Sequence, residues 1–164
     1  MLALWIILAI LISTVRHEGS HALAAWSQGV PLYEVRLFPG MHPELGFYFG
    51  YVSRGDGGTW LIDAAPFFAA VAWFILAFLV LRRVRRKSPA WLPLFVVGAI
   101  SPLVDLIYNY QGGLWRQGTD VSDLFQALPD PLVHGFFVAA TTICLIGLSV
   151  LRSSSVGDKV AAKV

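Results

Sequence analysis

Hydrophobic residues along the chain fall into four long runs separated by polar connectors. Ala64 to Leu81 holds eighteen residues without a charge, bounded by Asp63 and Arg82. Pro131 to Leu151 is interrupted only by His134 and a few small polar residues and stops at Arg152. Ala90 to Tyr110 is apolar except for Ser101, Asp105 and Asn109, and the N-terminal run is apolar from Leu2 to Ile12 before turning polar at Arg16, His17, Glu18 and His21. A helix needs about 20 apolar residues to cross a hydrocarbon core. The pattern therefore predicts an all-α polytopic membrane protein with four spans, over about 2–28, 64–81, 90–110 and 131–151. Between the first two spans the period changes to two. Tyr33, Val35 and Leu37 share one face and Glu34, Arg36 and Phe38 the other, followed by Pro39-Gly40 and a second run from Phe47 to Ser53. That predicts a β-hairpin over about 31–53. Arg54-Gly-Asp-Gly-Gly58 reads as a connector, because Gly-Asp-Gly is turn chemistry; the Arg-Gly-Asp tripeptide is not taken as an adhesion signal.

Composition sharpens the class. Hydrophobic letters make up 57% of the 164 residues and charged ones 13%, about half the charged share of a soluble domain. This excludes an ordinary cytosolic protein and a disordered chain. With Cys144 as the single cysteine, no internal disulfide or cysteine-rich metal site can be drawn. Arg82, Arg83, Arg85, Arg86 and Lys87 concentrate the basic charge after the second run. This cluster reads as a positive-inside topology signal, with no nucleic-acid partner implied. Arg152, Lys159 and Lys163 agree with it, so both termini are expected in the cytoplasm and the connectors Val30 to Asp63 and Gln111 to Asp130 on the opposite face. Residues 1–152 are expected to form one membrane-embedded domain, and 153–164 a flexible cytoplasmic tail. A cleaved signal peptide is disfavoured: no positive charge precedes Leu2 to Ile12, and polar residues separate that run from Ala22-Leu-Ala24.

The candidate chemistry sits at the end of the first run. His17-Glu18-Gly19-Ser20-His21 matches H-E-x-x-H, which on a helix puts two imidazoles on one face a turn apart, able to share a zinc ion, with Glu18 free to act as general base. Three fixed letters recur by chance in soluble chains. On a hydrophobic helix, where each ionisable residue costs about 2.5 to 3.5 kcal/mol near the centre of a span, such a cluster is a functional hypothesis by default. The plain alternative leaves His17 and Glu18 in the headgroup region beside Arg16. A catalytic zinc needs a third protein ligand. Asp105 is about fifteen residues into its span and His17 a similar distance into the first, so depth at 1.5 Å per residue favours Asp105; Asp120, in the following loop, could fold back to the same end.

These residues carry a resemblance to the site-2 protease class of intramembrane zinc metalloproteases, in particular its small M50-like members that consist of little but the membrane core. His17-Glu-Gly-Ser-His21-Ala-Leu-Ala-Ala-Trp-Ser-Gln-Gly29 resembles the HExxH helix of that family, with the glycine that ends it. Ala64-Ala65-Pro66 is similar to the Ala-Gly-Pro at the start of the next span. Asn109 followed by Asp120 in Gly-Thr-Asp resembles an Asn-x-x-Pro stretch leading to a ligand aspartate, although Gly112 and Val121 stand where the family has proline and glycine. The resemblance covers roughly residues 10 to 128. It implies zinc ligands at His17, His21 and Asp120, Glu18 as general base and Asn109 as a polar contact to substrate; the two departures keep Asp105 as the alternative third ligand, with Asp123 behind both. It further implies hydrolysis of peptide bonds in membrane-associated substrates by zinc-activated water. For Asp123 the simpler expectation is a helix start, with Thr119 or Asp120 capping a short helix from Val121 to Leu128.

The two remaining histidines have ordinary roles to fill, His134 as a hydrogen-bonded interfacial residue and His42 as a loop residue. Trp60, Trp91 and Trp115 fall near span ends, as an aromatic belt requires. Two rivals stand beside the protease reading. One is a scaffold or metal-binding pseudoprotease of the same fold, which has no need of Glu18 beside two histidines. The other is a metal transporter, which calls for ionisable residues spread over several spans.

Overall fold

The computed structural model describes residues 2–42 and 46–161, the last eight of these as backbone only. The order is α1 (Leu2–Ser27), β1 (Leu32–Arg36), β2 (Gly40–His42), β3 (Gly46–Tyr48), β4 (Tyr51–Arg54), α2 (Leu61–Leu81), α3 (Trp91–Trp115), α4 (Asp120–Ala127) and α5 (Asp130–Ala161). Within these residues α1, α2, α3 and α5 are long and apolar enough to cross a membrane. They cover the four predicted runs, with two shifts. The second starts three residues early at Leu61, and the third continues to Trp115, because nothing between Tyr110 and Arg116 breaks the helix until Arg116 turns extended. The tail expected from Ser153 is helical as far as Ala161; its last three residues lie outside the described ones.

Helix α2 is the centre of the bundle, touching α1, α3, α4 and α5. Its uncharged run can be buried on more than one side, and Phe67 and Phe74 lock it into a core with Leu106 of α3, Val121 of α4 and Phe137 and Cys144 of α5. Large apolar residues such as Ile7, Leu76 and Ile146 remain on the outside, the arrangement a lipid-facing bundle requires. Contacts advance together along α1 and α3, from Ser101 on the Ala9 carbonyl to Asp105 on Arg16, so these two helices run parallel. A π-helical stretch, Leu94–Ile100, lies within α3.

Helix α1 ends where the sequence placed its glycine. Gly29 has φ 71°, a left-handed conformation that favours glycine. The Val30 amide reaches back to the Ala25 carbonyl at 3.0 Å, a Schellman closure whose companion contact joins Ala25, Val30 and Ile62 in a small cluster of their own.

The hairpin differs from its prediction. Strand β1 pairs antiparallel with β4, Val35 opposite Val52, and β2 with β3, Met41 opposite Phe47. Pro39 interrupts the ladder, since it has no N–H to donate, but the chain does not reverse there: Gly40, Met41 and His42 pair with residues 46–48. The turn chemistry of Pro39-Gly40 thus falls within the first arm of the hairpin, and residues 43–45 lie outside the described ones. His42, expected in a loop, is on β2, with its ring edge-on to Tyr51. The alternation of faces holds from Leu32 to Val35 and breaks at Arg36, which is exposed like Val35, and the aromatic face is the outer one, with Tyr33 and Phe47 exposed. Glu34 instead accepts from the Tyr51 hydroxyl and from Arg36, which together hold its carboxyl below the ordinary value. The base of the hairpin is tied to α2 by Arg54 on Asp63 at 2.8 Å.

Candidate metal centre

The spacing of His17 and His21 puts both rings on one side of α1, with centroids 5.1 Å apart. Their Nε2 atoms meet a single oxygen, Asp120 Oδ2, at 3.0 Å and 3.1 Å. Asp120 reaches this point because α3 ends at Trp115 and α4 begins at once, folding back onto the bundle through Val121 and Leu124. Thr119 caps α4 by accepting from the Ser122 amide, while Ser122 Oγ accepts from the Thr119 amide. Asp123, also in the first turn of α4, is placed as a helix-start acid and lies outside the His17, His21 and Asp120 group.

The outer nitrogens are held differently. His21 Nδ1 donates to the Ile62 carbonyl at 2.8 Å. A carbonyl can only accept, so this ring carries its proton on Nδ1 and offers a bare lone pair from Nε2 toward a carboxylate. Two acceptors 3.1 Å apart need a cation or a proton between them. His17 Nδ1 lies 3.4 Å from Asp105 Oδ1, without a formed hydrogen bond. Asp105 is otherwise occupied. It takes Arg16 Nη2 at 2.7 Å on Oδ2 and the Asn109 amide at 2.9 Å on Oδ1. Asp105 thus lies on the outer side of His17, while α4 brings Asp120 to the Nε2 side at a similar level. Burial alone would raise the Asp120 carboxyl, but its contacts with His17 and His21 outweigh that and hold it well below the usual carboxylate range.

The donor set fits a metal ion. One atom from each of His17, His21 and Asp120 lies within 4.8 Å of the others, and the two N···O separations of 3.0 Å and 3.1 Å are near the about 3.3 Å between donors sharing a tetrahedral ion with bonds of about 2.0 Å. Two imidazoles and a carboxylate are a borderline set that suits zinc and its divalent neighbours.

Glu18, on the next position of α1, lines a cavity of about 410 Å³ between α1 and α3. Its walls are aliphatic from Ile6 and Val96 onward and become polar toward the C-terminal ends of both helices, at His17, Glu18, Asp105 and Asn109. Phe49 of the hairpin also faces this cavity. Beside it, Gly50 sits so close to Thr14 and Glu18 that a Cβ would collide with both. Asn109, expected to touch substrate, turns its amide onto Asp105 while still lining the cavity. His134 accepts from or donates to the Tyr110 hydroxyl at 2.7 Å and rests on Phe125, bracing α4 from behind.

Sequence reasoning missed Arg16, Gly50 and the Ile62 carbonyl as parts of this centre. Arg16 carried a signal: a charge inside an apolar helix needs a counter-charge at its own depth, and Asp105 is the acid inside the parallel span. Ile62 had one too, in the proline four residues after it. A scan against protein-family models, a search of curated proteins and a search of solved structures each found no match to this chain.

Proposed function

We propose that the protein is an intramembrane zinc metalloendopeptidase that hydrolyses peptide bonds of membrane-associated polypeptides. The observation that carries this reading is the convergence of His17 Nε2 and His21 Nε2 on one oxygen of Asp120, with Glu18 on the same helical turn facing an apolar cavity. His17, His21 and Asp120 would hold the zinc ion, with Asp105 supporting His17 from behind. When bound there, zinc supplies Lewis-acid polarisation of a scissile carbonyl and of water. Glu18 takes the proton from the attacking water and passes it to the leaving amine, so no covalent intermediate is needed. The aliphatic walls between α1 and α3 receive an apolar segment and keep bulk water from it. Cleavage requires an unwound stretch, and the two-stranded β1–β4 pair can take an extended chain as a further strand. With the basic cluster at 82–87 on the cytoplasmic side, both termini are cytoplasmic and the centre lies toward the other face.

The test is zinc content and peptide cleavage measured together on detergent-purified protein. Wild type is expected to hold near one zinc per chain. Glu18→Gln should keep the zinc while turnover falls by about 10²- to 10⁴-fold. Proline at Val35 or Phe49 should impair turnover with zinc intact. Wild type without zinc, or turnover indifferent to Glu18, overturns the reading in favour of a scaffold.

A further inference from the structure

In α2, Pro66 lies inside the helix and is fully buried. A proline in a helix interior removes the amide that would bond the carbonyl four residues earlier, and its ring crowds that same carbonyl. Here the carbonyl is that of Ile62, the one His21 Nδ1 meets at 2.8 Å. A freed backbone carbonyl in a membrane-spanning helix needs a partner from the protein, because lipid offers none. An imidazole from α1 is that partner.

We propose that Pro66 is a positioning residue: by withholding its N–H it leaves the Ile62 carbonyl to His21, which fixes His21 in the Nδ1–H form and turns its Nε2 toward Asp120. The inference builds on the metal-centre reading for its consequence, since the ring nitrogen presented to an ion is set by the bond the other nitrogen makes. The same device occurs a second time in the bundle. The π stretch of α3 closes with the Ser101 amide on the Val96 carbonyl; continued one residue, that register would give the Val97 carbonyl to Pro102, which has no N–H. That carbonyl instead accepts from the Trp73 indole at 3.3 Å. One proline thus hands a carbonyl to a tryptophan that only packs, the other to a histidine of the candidate centre. Pro102 is an internal control.

The experiment compares wild type, Pro66→Ala and Pro102→Ala as full-length protein in detergent. Imidazole ¹⁵N chemical shifts are recorded metal-free, with His21 assigned by its own substitution, and cobalt(II) affinity is then titrated by absorption. Wild type is expected to show His21 with its proton on Nδ1. In Pro66→Ala the restored amide competes for Ile62, so His21 should shift toward the Nε2–H form and cobalt affinity fall by about tenfold or more, as for outer partners of metal-binding histidines. Pro102→Ala should match wild type in both. A wild-type His21 protonated on Nε2 overturns the inference whatever the variants do, as does Pro66→Ala matching wild type in both measurements. Wild type that binds no cobalt overturns the metalloprotease reading instead, and the metal-free shifts still decide what Pro66 does.

Discussion

Asp105 and Asp120 are the same residue type, each beside His17, and they live in different company. Asp105 sits inside a span, held by Arg16 and Asn109, and faces the Nδ1 side of the ring. Asp120 begins a short helix outside the spans and offers one oxygen to the Nε2 atoms of two histidines. What separates them is the set of charges already satisfied. A carboxylate that neutralises a buried guanidinium has little left to give an ion, whereas one whose nearest neighbours are two imidazoles has both lone pairs and room. Level along the bundle therefore does not decide which carboxylate meets the two Nε2 atoms; the prior engagements of each do.

The comparison breaks most visibly at the metal. Asp120→Ala should abolish stoichiometric zinc, while Asp105→Asn, which keeps shape and removes charge, should retain it with affinity about 10- to 100-fold weaker. The reverse pattern in a zinc titration would exchange their roles. Stability sharpens the contrast in the other direction. Asp105→Ala leaves Arg16 buried without its counter-charge, a loss of about 3–5 kcal/mol, and replacing Arg16 by Met in the same chain should recover most of it in an unfolding measurement. Asp120→Ala should cost far less fold stability, because no buried cation depends on it. The smallest effect belongs to the cap that holds Asp120 in place. Thr119→Ala should destabilise α4 by about 1 kcal/mol, seen as faster amide exchange from Val121 to Leu124 with the rest of the bundle unchanged.

The four long helices were legible because apolar runs of that length leave few other readings; their starts moved by at most three residues, while the third ran on to Trp115 and the last to Ala161. The pairing of His17 with His21 was legible from helical spacing. Asp120 was a candidate from its place after the third run but came first only through the resemblance, since nothing local says that α4 folds back, and Val121 and Leu124 become anchors only once α2 and α5 are beside them. The hairpin was legible as two runs about Pro39-Gly40, but the pairing of Met41 with Phe47 beyond that turn chemistry is a contact between strands that neither run records. The proline at 66 was visible as a motif, but its effect falls on a backbone atom, and a sequence pattern records side chains.

The Arg16–Asp105 pair has an electrostatic consequence for the whole centre. Glu18, Asp105 and Asp120, when ionised, bring three negative charges to one end of the bundle, and Arg16 supplies one positive. The remainder is a deficit of two. In a low-dielectric surrounding that penalises uncompensated charge, these four groups would favour a divalent guest over a monovalent one at the proposed centre. Without the guanidinium the deficit would be three. Arg16, which touches none of the three donor atoms, would thus bear on which charge the proposed centre accepts.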